Sequence, residues 1–244
     1  MMRVAPILFM MPLLGSRALP NLLKVGLMLA VSLLLLPIVQ MDVRSFPSDP
    51  YQFGFFMMGE LMIGFILGLS VKLIFAGVQL AGEFAGYQMG LAMANILDPQ
   101  SGMDTTVLAQ FYYLLGLLIF LSIDGHHWFI RALFHSFSVL APGEVHLRPG
   151  LYNHFVNLSG KMFIIAIKMV APIMAVLIFT QIALAMMAKL VPQMNVWITS
   201  FPLTICLGLV FLGLSLEWLL PYLKTLFEES TRGLAGTMLP LIGR

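Results

Sequence analysis

The chain has 244 residues, of which 60% are hydrophobic and only 10% charged, and its formal net charge is +2. A mean hydropathy of +0.96, with several apolar runs near the roughly 20 residues that span a bilayer core, excludes an ordinary water-soluble domain. The small charge without a basic run gives no footprint for nucleic acid, and the single cysteine, Cys206, excludes a disulfide framework or a cysteine metal cluster.

The first residues, MMRVAPILFMMPLLGSR, imitate a signal peptide. Pro12 interrupts the apolar part and no A-x-A site follows, so Val4 to Leu14 reads as a short first helix. Pro20 suits a first helical turn, and Asn21 to Gln40 reads as a spanning helix bent before Pro37. Residues 41–51, MDVRSFPSDPY, form a polar connection. Gln52 to Leu97 then shows one helical pattern without proline. As a single helix it would measure about 65–70 Å, against a hydrocarbon core of about 30 Å. It is therefore predicted to fold back near Gly77 or to extend well beyond the bilayer plane. Glu60, Lys72 and Glu83 lie inside it. A Lys or Asp at a helix centre costs about 2.5–3.5 kcal/mol against lipid, so these three are expected to be buried polar groups, paired with a neighbouring subunit or, for the carboxylates, with Lys72. Gly64 and Gly68 make one small-residue face. Gly82, Gly86 and Gly90, spaced by four, make a second, where another helix packs closely.

Asp98-Pro99 is predicted to stop this helix, because proline drives the residue before it out of the α region. Gln100, Ser101 and Gly102 supply turn chemistry, and Asp104 and Thr105 are expected to cap a helix from Val107 to Ile123. The loop is flanked by Met89, Met93, Ile96, Leu97 and Met103. From the residues alone it is either a soft apolar plug or a plain turn between packed helices. Asp124-Gly125 breaks the chain, with Asp124 expected to cap a helix from Trp128 to Leu140. After Pro142-Gly143 and a polar loop comes Leu151 to Leu190, with a kink predicted at Pro172. Residues 191–195 read as a tight turn, and Trp197 to Leu220 as a last span stopped by Pro221. Residues 222–244 form a weakly amphipathic tail in which Leu223, Leu226 and Phe227 share a face. No fixed-period repeat and no domain linker appears.

Asp124, His126 and His127, with His135 beyond, invite a metal reading. Adjacent histidines on a helix point about 100° apart, zinc helices space theirs by four, and no second cluster completes the set, so no metal is expected. No nucleophile motif and no phosphate-binding loop is present, which argues against an enzyme. A secondary transporter using Glu60, Lys72 and Glu83 as an ion path is the alternative, but the chain lacks the two matching halves typical of such proteins.

The runs QLAGEFAGYQMGLAMANILDPQSG, FLSIDGHHWFIRALFHSF and KMVAPIMAVLIFTQIALAMMAKLVPQMNVWITSFPLTICLGL resemble the FliR/SctT family of type III export-gate proteins. The matches occur in order from about Pro12 to Leu220. The resemblance implies an all-α, integral-membrane-type protein with long helices and helical hairpins, working inside a helical multi-subunit assembly. It implies a non-enzymatic subunit without cofactor, one that helps form and plug the channel for unfolded export substrates. Its partners would be FliP/SctR-type and FliQ/SctS-type subunits, the FlhB/SctU-type switch protein and membrane lipid. Its location would be the bacterial inner membrane at the basal body, with much of the assembly on the periplasmic side. Residues 1–160 would be FliP-like, 161–221 a FliQ-like hairpin and 222–244 a tail. The plug would comprise Met89, Met93, Asn95, Ile96, Leu97, Asp98 and Pro99, with Met93 and Ile96 pointing into the pore.

Overall fold

A computed structural model of the chain describes residues 1–12, 14, 19–37, 49–93, 105–140, 142–143, 150–190 and 196–233. Among these, every regular element is helical: α1 (Val4–Met10), α2 (Asn21–Leu35), α3 (Pro50–Met89), α4 (Val107–Ser122), α5 (Gly125–Val139), α6 (Gly150–Leu190) and α7 (Val196–Gly233). Three of them, α3, α6 and the 200–230 part of α7, are long and apolar enough to cross a membrane, and the bent pair α4–α5 qualifies as a fourth span. The chain is thus an all-α membrane protein.

Several helix ends differ from the predicted ones, each for a local reason. α2 stops at Leu35, short of Gln40, because Pro37 has no N–H to offer the Leu33 carbonyl. Leu36 N–H takes that carbonyl instead, at 3.2 Å, in a tighter closing turn. α3 does not fold back at Gly77. There the missing side chain admits a neighbour instead: a Cβ on Gly77 would stand 2.9 Å from the Met162 carbonyl oxygen. α7 runs through Pro221 rather than stopping. An interior proline costs about 3 kcal/mol, but Leu219, Leu223 and Phe227, at helical spacing around it, are all fully buried. Burying three such side chains contributes about 1.5–3 kcal/mol each, which outweighs the one lost backbone bond.

The chain divides into two compact units. The first comprises Met1–Ile74, Phe120–Gly160 and Thr225–Arg244. In it α1 lies on the Gly64/Gly68 face of α3. A Cβ on Gly64 would collide with the Arg3 carbonyl, and one on Gly68 would stand 2.9 Å from Met10 Cβ. Val4, Ile7, Ile63 and Leu67 fill the contact and are buried. Phe120 meets Phe129 and Phe227 edge-on, with ring centroids 5.7 and 5.5 Å away, and Gly125 leaves room for the Phe120 ring.

The second unit comprises Phe75–Ile119 and Lys161–Lys224. Its core is built on small residues. Ala81, Ala85, Ala109 and Ala166 are fully buried, and a Cβ on Gly82 would stand 2.5 Å from the Leu108 carbonyl oxygen. The start of α4 therefore lies almost against the backbone of α3. Thr106 rather than Thr105 caps α4: its hydroxyl accepts from Ala109 N–H at 3.2 Å, while Thr105 accepts from the Gln110 side chain instead; Asp104 lies outside the described residues. Along α6 and α7 many large apolar side chains stay exposed on the single chain, among them Ile167, Phe179, Met186, Leu214 and Trp218. Such surface belongs against lipid or other subunits.

Candidate functional site

The predicted gate segment follows the end of α3 in sequence, and that end is fixed by backbone chemistry. Gly90 has φ +86°, a conformation open to glycine and costly for most other residues. Its N–H donates to the Tyr87 carbonyl at 3.1 Å, and Leu91 N–H reaches back to the Gly86 carbonyl at 2.9 Å. These two bonds form a Schellman closure. It ends α3 at Met89, well before the predicted stop at Asp98-Pro99. Gly90 is therefore a helix terminator as well as a close-contact glycine.

Met89, as the C-cap residue, has a carbonyl with no intrahelical donor. Thr204 of α7 supplies one: its hydroxyl lies 3.1 Å from that oxygen. Phe201 and Gly208 flank Thr204 on the same face of α7, at helical spacing. A Cβ on Gly90 would stand 2.6 Å from the Phe201 ring, and one on Gly208 would press on Met89 at 2.6 Å from its Cγ. Met89 is fully buried. One residue earlier, Gln88 Nε2 donates to Gln181 Oε1 of α6 at 3.3 Å. Beside these contacts opens a cavity of about 440 Å³ bordered by Gln88, Met93, Gln181, Ser200 and Thr204. The site holds α3 with neutral hydrogen bonds and packing, with no charged side chain among those contacts.

Met93 is half-buried on the rim of this cavity. Asn95, Ile96, Leu97, Asp98 and Pro99 lie outside the described residues. Gly82 and Gly86 both face the start of α4, and a Cβ on Gly86 would stand 2.7 Å from the Thr106 hydroxyl oxygen.

Of the three ionisable residues singled out in the long helix, Glu60 is buried, Glu83 half-buried and Lys72 exposed. Lys72 is not the partner of Glu60. Twelve residues along one straight helix separates them by about 18 Å. The partner is Arg3, whose Nε lies 2.8 Å from Glu60 Oε2 and whose Nη2 lies 2.9 Å from Oε1. Arg3 Nη1 donates to the Ser136 and Leu140 carbonyls at the end of α5, at 2.8 and 3.2 Å, and its guanidinium stacks 4.3 Å from the Phe137 ring centre. Gly143 N–H adds a bond to Glu60 Oε1 at 3.1 Å.

Asp124 does not cap α5 with its side chain. It sits in the left-handed region at φ +56° and makes no side-chain bond to the helix amides. The left-handed backbone instead presents its carbonyl to His127 N–H at 2.9 Å, while its carboxylate approaches His127 Nδ1 at 3.4 Å. The rings of His126 and His127 do not diverge as an ideal helix would require; their centroids are 4.2 Å apart. Ligand atoms of Asp124, His126 and His127 fall within 4.8 Å of one another. They crowd the positive end of a helix dipole, which disfavours a cation.

Sequence reasoning missed Arg3, Thr204, Phe201, Gly208 and Gln181. Three of these carried a readable signal. Arg3 and Glu60 are isolated opposite charges in apolar surroundings, and burial obliges such charges to pair. Thr204 and Gly208 are small residues four apart, the spacing of a close helix contact.

Residues 1–230 match the family model described as bacterial export proteins, family 1. The chain is 33% identical over 230 residues to the flagellar biosynthetic protein FliR of Pectobacterium carotovorum subsp. carotovorum, covering 93% of this chain and 86% of that one. It is 30% identical over 249 residues to the FliR of Escherichia coli strain K12, covering 99% and 93%. It is 28% identical over 244 residues to the FliR of Bacillus subtilis strain 168, again covering 99% and 93%. The chain belongs to family 1 of the bacterial export proteins, together with these FliR proteins.

Proposed function

We propose that this chain is a structural, pore-forming subunit of a flagellar-type protein export gate, and that the segment after α3 is its plug. The observation that carries this reading is the fixed end of α3. A glycine-closed helix terminus, held from α7, delivers Met93 and then the apolar residues Ile96 and Leu97 from an anchored point. A stopper needs such a point. It must close a narrow channel reproducibly and still yield to a threaded chain. Asn95, Asp98 and Pro99 complete the plug, with Met89 as its buried root.

The relatives named as flagellar biosynthetic proteins support the flagellar setting over an injectisome. In this reading the partners are FliP-type and FliQ-type subunits, with the FlhB/SctU-type switch protein nearby. The cargo is unfolded export substrate, and the site is the inner membrane at the basal body, extending to the periplasmic side. Residues 1–160 act as the FliP-like part, 161–221 as the FliQ-like hairpin and 222–244 as the tail. Exposed Lys72 and half-buried Glu83 serve contacts with neighbouring subunits. The subunit is not catalytic and needs no cofactor. The transporter alternative is disfavoured by Arg3, which neutralises Glu60 and removes one end of the supposed ion path.

The test is deletion of residues 95–99 in cells that make the whole gate. The expected outcome is a gate that still co-purifies with its partners and leaks ions at rest. A deletion variant that assembles normally and stays as tight as wild type would refute the plug.

A further inference from the structure

We propose that Thr204 is a positioning residue for the gate, and that its hydroxyl works as a two-way donor. It bonds the Met89 carbonyl while the gate is shut and returns to its own helix when α3 lets go. This rests on the plug reading above and assigns to α7 the part of the gate that holds the plug closed.

A threonine hydroxyl has one proton to give. Three carbonyl oxygens lie within its reach at nearly equal distance: Met89 at 3.1 Å, Ser200 at 3.0 Å and Phe201 at 3.1 Å. The last two belong to the preceding turn of α7 and are the usual back-bond of a helical threonine. The first comes from α3. The donor is therefore satisfied whether or not α3 is in place, so release leaves no orphaned hydroxyl in a buried spot. The Met89 carbonyl is in the opposite position. It is a helix-end acceptor without an intrahelical donor, and Thr204 serves it in the closed arrangement. On release it turns toward the adjoining cavity of about 440 Å³, where there is room for water to replace the threonine.

The rest of the stripe fixes register. Gly208 has no side chain, and the Met89 thioether occupies that space; Phe201 covers Gly90. Moving α3 along α7 would drive Met89 out of the one place that fits it. The contact is thus selective in position but weak in strength, because a single neutral hydrogen bond shifts an equilibrium by only about two- to tenfold. A gate that must yield to a threaded chain requires that combination.

The experiment uses the full gate, co-expressed with its partner subunits, and reads two quantities: co-purification of the partners and resting ion leak across the membrane. For Thr204→Val the expected result is normal co-purification with leak raised about two- to tenfold, and Thr204→Ser should return it to the wild-type value. Gly208→Ala, which pushes a methyl group into Met89, should leak in the same way. A tight Thr204→Val gate alongside a leaky 95–99 deletion overturns the proposal while sparing the plug. A tight deletion variant overturns both. If Thr204→Val fails to assemble, Gly208→Ala decides: leak with normal co-purification supports the proposal. Loss of assembly in both variants, or a serine variant that leaks like valine, assigns the position to assembly and overturns it.

Discussion

Arg3 and Glu60, 57 positions apart in sequence, meet fork to fork inside the first unit, at 2.8 and 2.9 Å. Arg3 is 1% exposed and Glu60 6%. The remaining Arg3 donors close the end of α5 through the Ser136 and Leu140 carbonyls. One side chain therefore ties the start of the chain, α3 and α5 together. Arginine suits the task because its planar fork serves a carboxylate and two carbonyls at once, which a lysine ammonium does not.

Breaking this pair from one side leaves a buried charge without compensation. Glu60→Ala is expected to lower stability by about 3–5 kcal/mol. The double variant Arg3→Met/Glu60→Met should recover most of that loss, since an apolar pair of similar volume often replaces a buried ion pair without penalty. Denaturation of the purified chain in detergent, across wild type, Arg3→Met, Glu60→Met and the double variant, measures the coupling. A double variant whose loss equals the sum of the two single-variant losses would mean that the two charges do not depend on each other.

The glycines divide into two groups with opposite expectations. Gly82→Ala places a methyl group 2.5 Å from a backbone carbonyl, where neither helix has a flexible side chain to move aside. Overpacking of this sort costs about 1–3 kcal/mol, and Gly86→Leu, against Thr106, should prevent assembly or leave a leaky gate. Gly160 lies in α6 with nothing within 4 Å of its Cβ position. Gly160→Ala should raise the stability of the isolated chain by up to about 1 kcal/mol, the helix-propensity difference. Thermal unfolding of both variants checks the contrast, and a stabilised Gly82→Ala would mean that α4 is not as close to α3 as described.

Tyr112 on α4 is fully buried, and its hydroxyl has no hydrogen-bond partner among the described residues. An unsatisfied buried polar group is worth about 1–3 kcal/mol against the folded state. Tyr112→Phe is therefore expected to match or exceed the wild-type chain in stability. A marked loss in the same unfolding assay would reveal a bond to the phenol.

The class of fold was readable because apolar runs of spanning length leave little freedom. The glycine spacing at 82 and 86 was readable because close helix contacts need missing side chains. What was not readable depends on partners distant in sequence. Nothing near Pro221 announces that Leu219, Leu223 and Phe227 carry α7 past it. Asp98-Pro99 looked like the stop of α3 because proline is the louder local signal. The helix instead closes at Gly90, where backbone bonds to Gly86 and Tyr87 decide. Glu60 was recognised as a group needing a partner, yet α3 itself keeps Lys72 too far away, and Arg3 reaches it only through the docking of α1.

In the proposed gate, Met93 and Ile96, which follow α3, line the path of exported protein. Photo-crosslinking amino acids placed singly at positions 93 and 96, in gates carrying a stalled export substrate, test it most directly. The expected result is crosslinking of both positions to the substrate, with no such product from a probe at Ile167 on the exposed face of α6. Crosslinks from 93 and 96 to lipid alone, with none to substrate, would contradict the account.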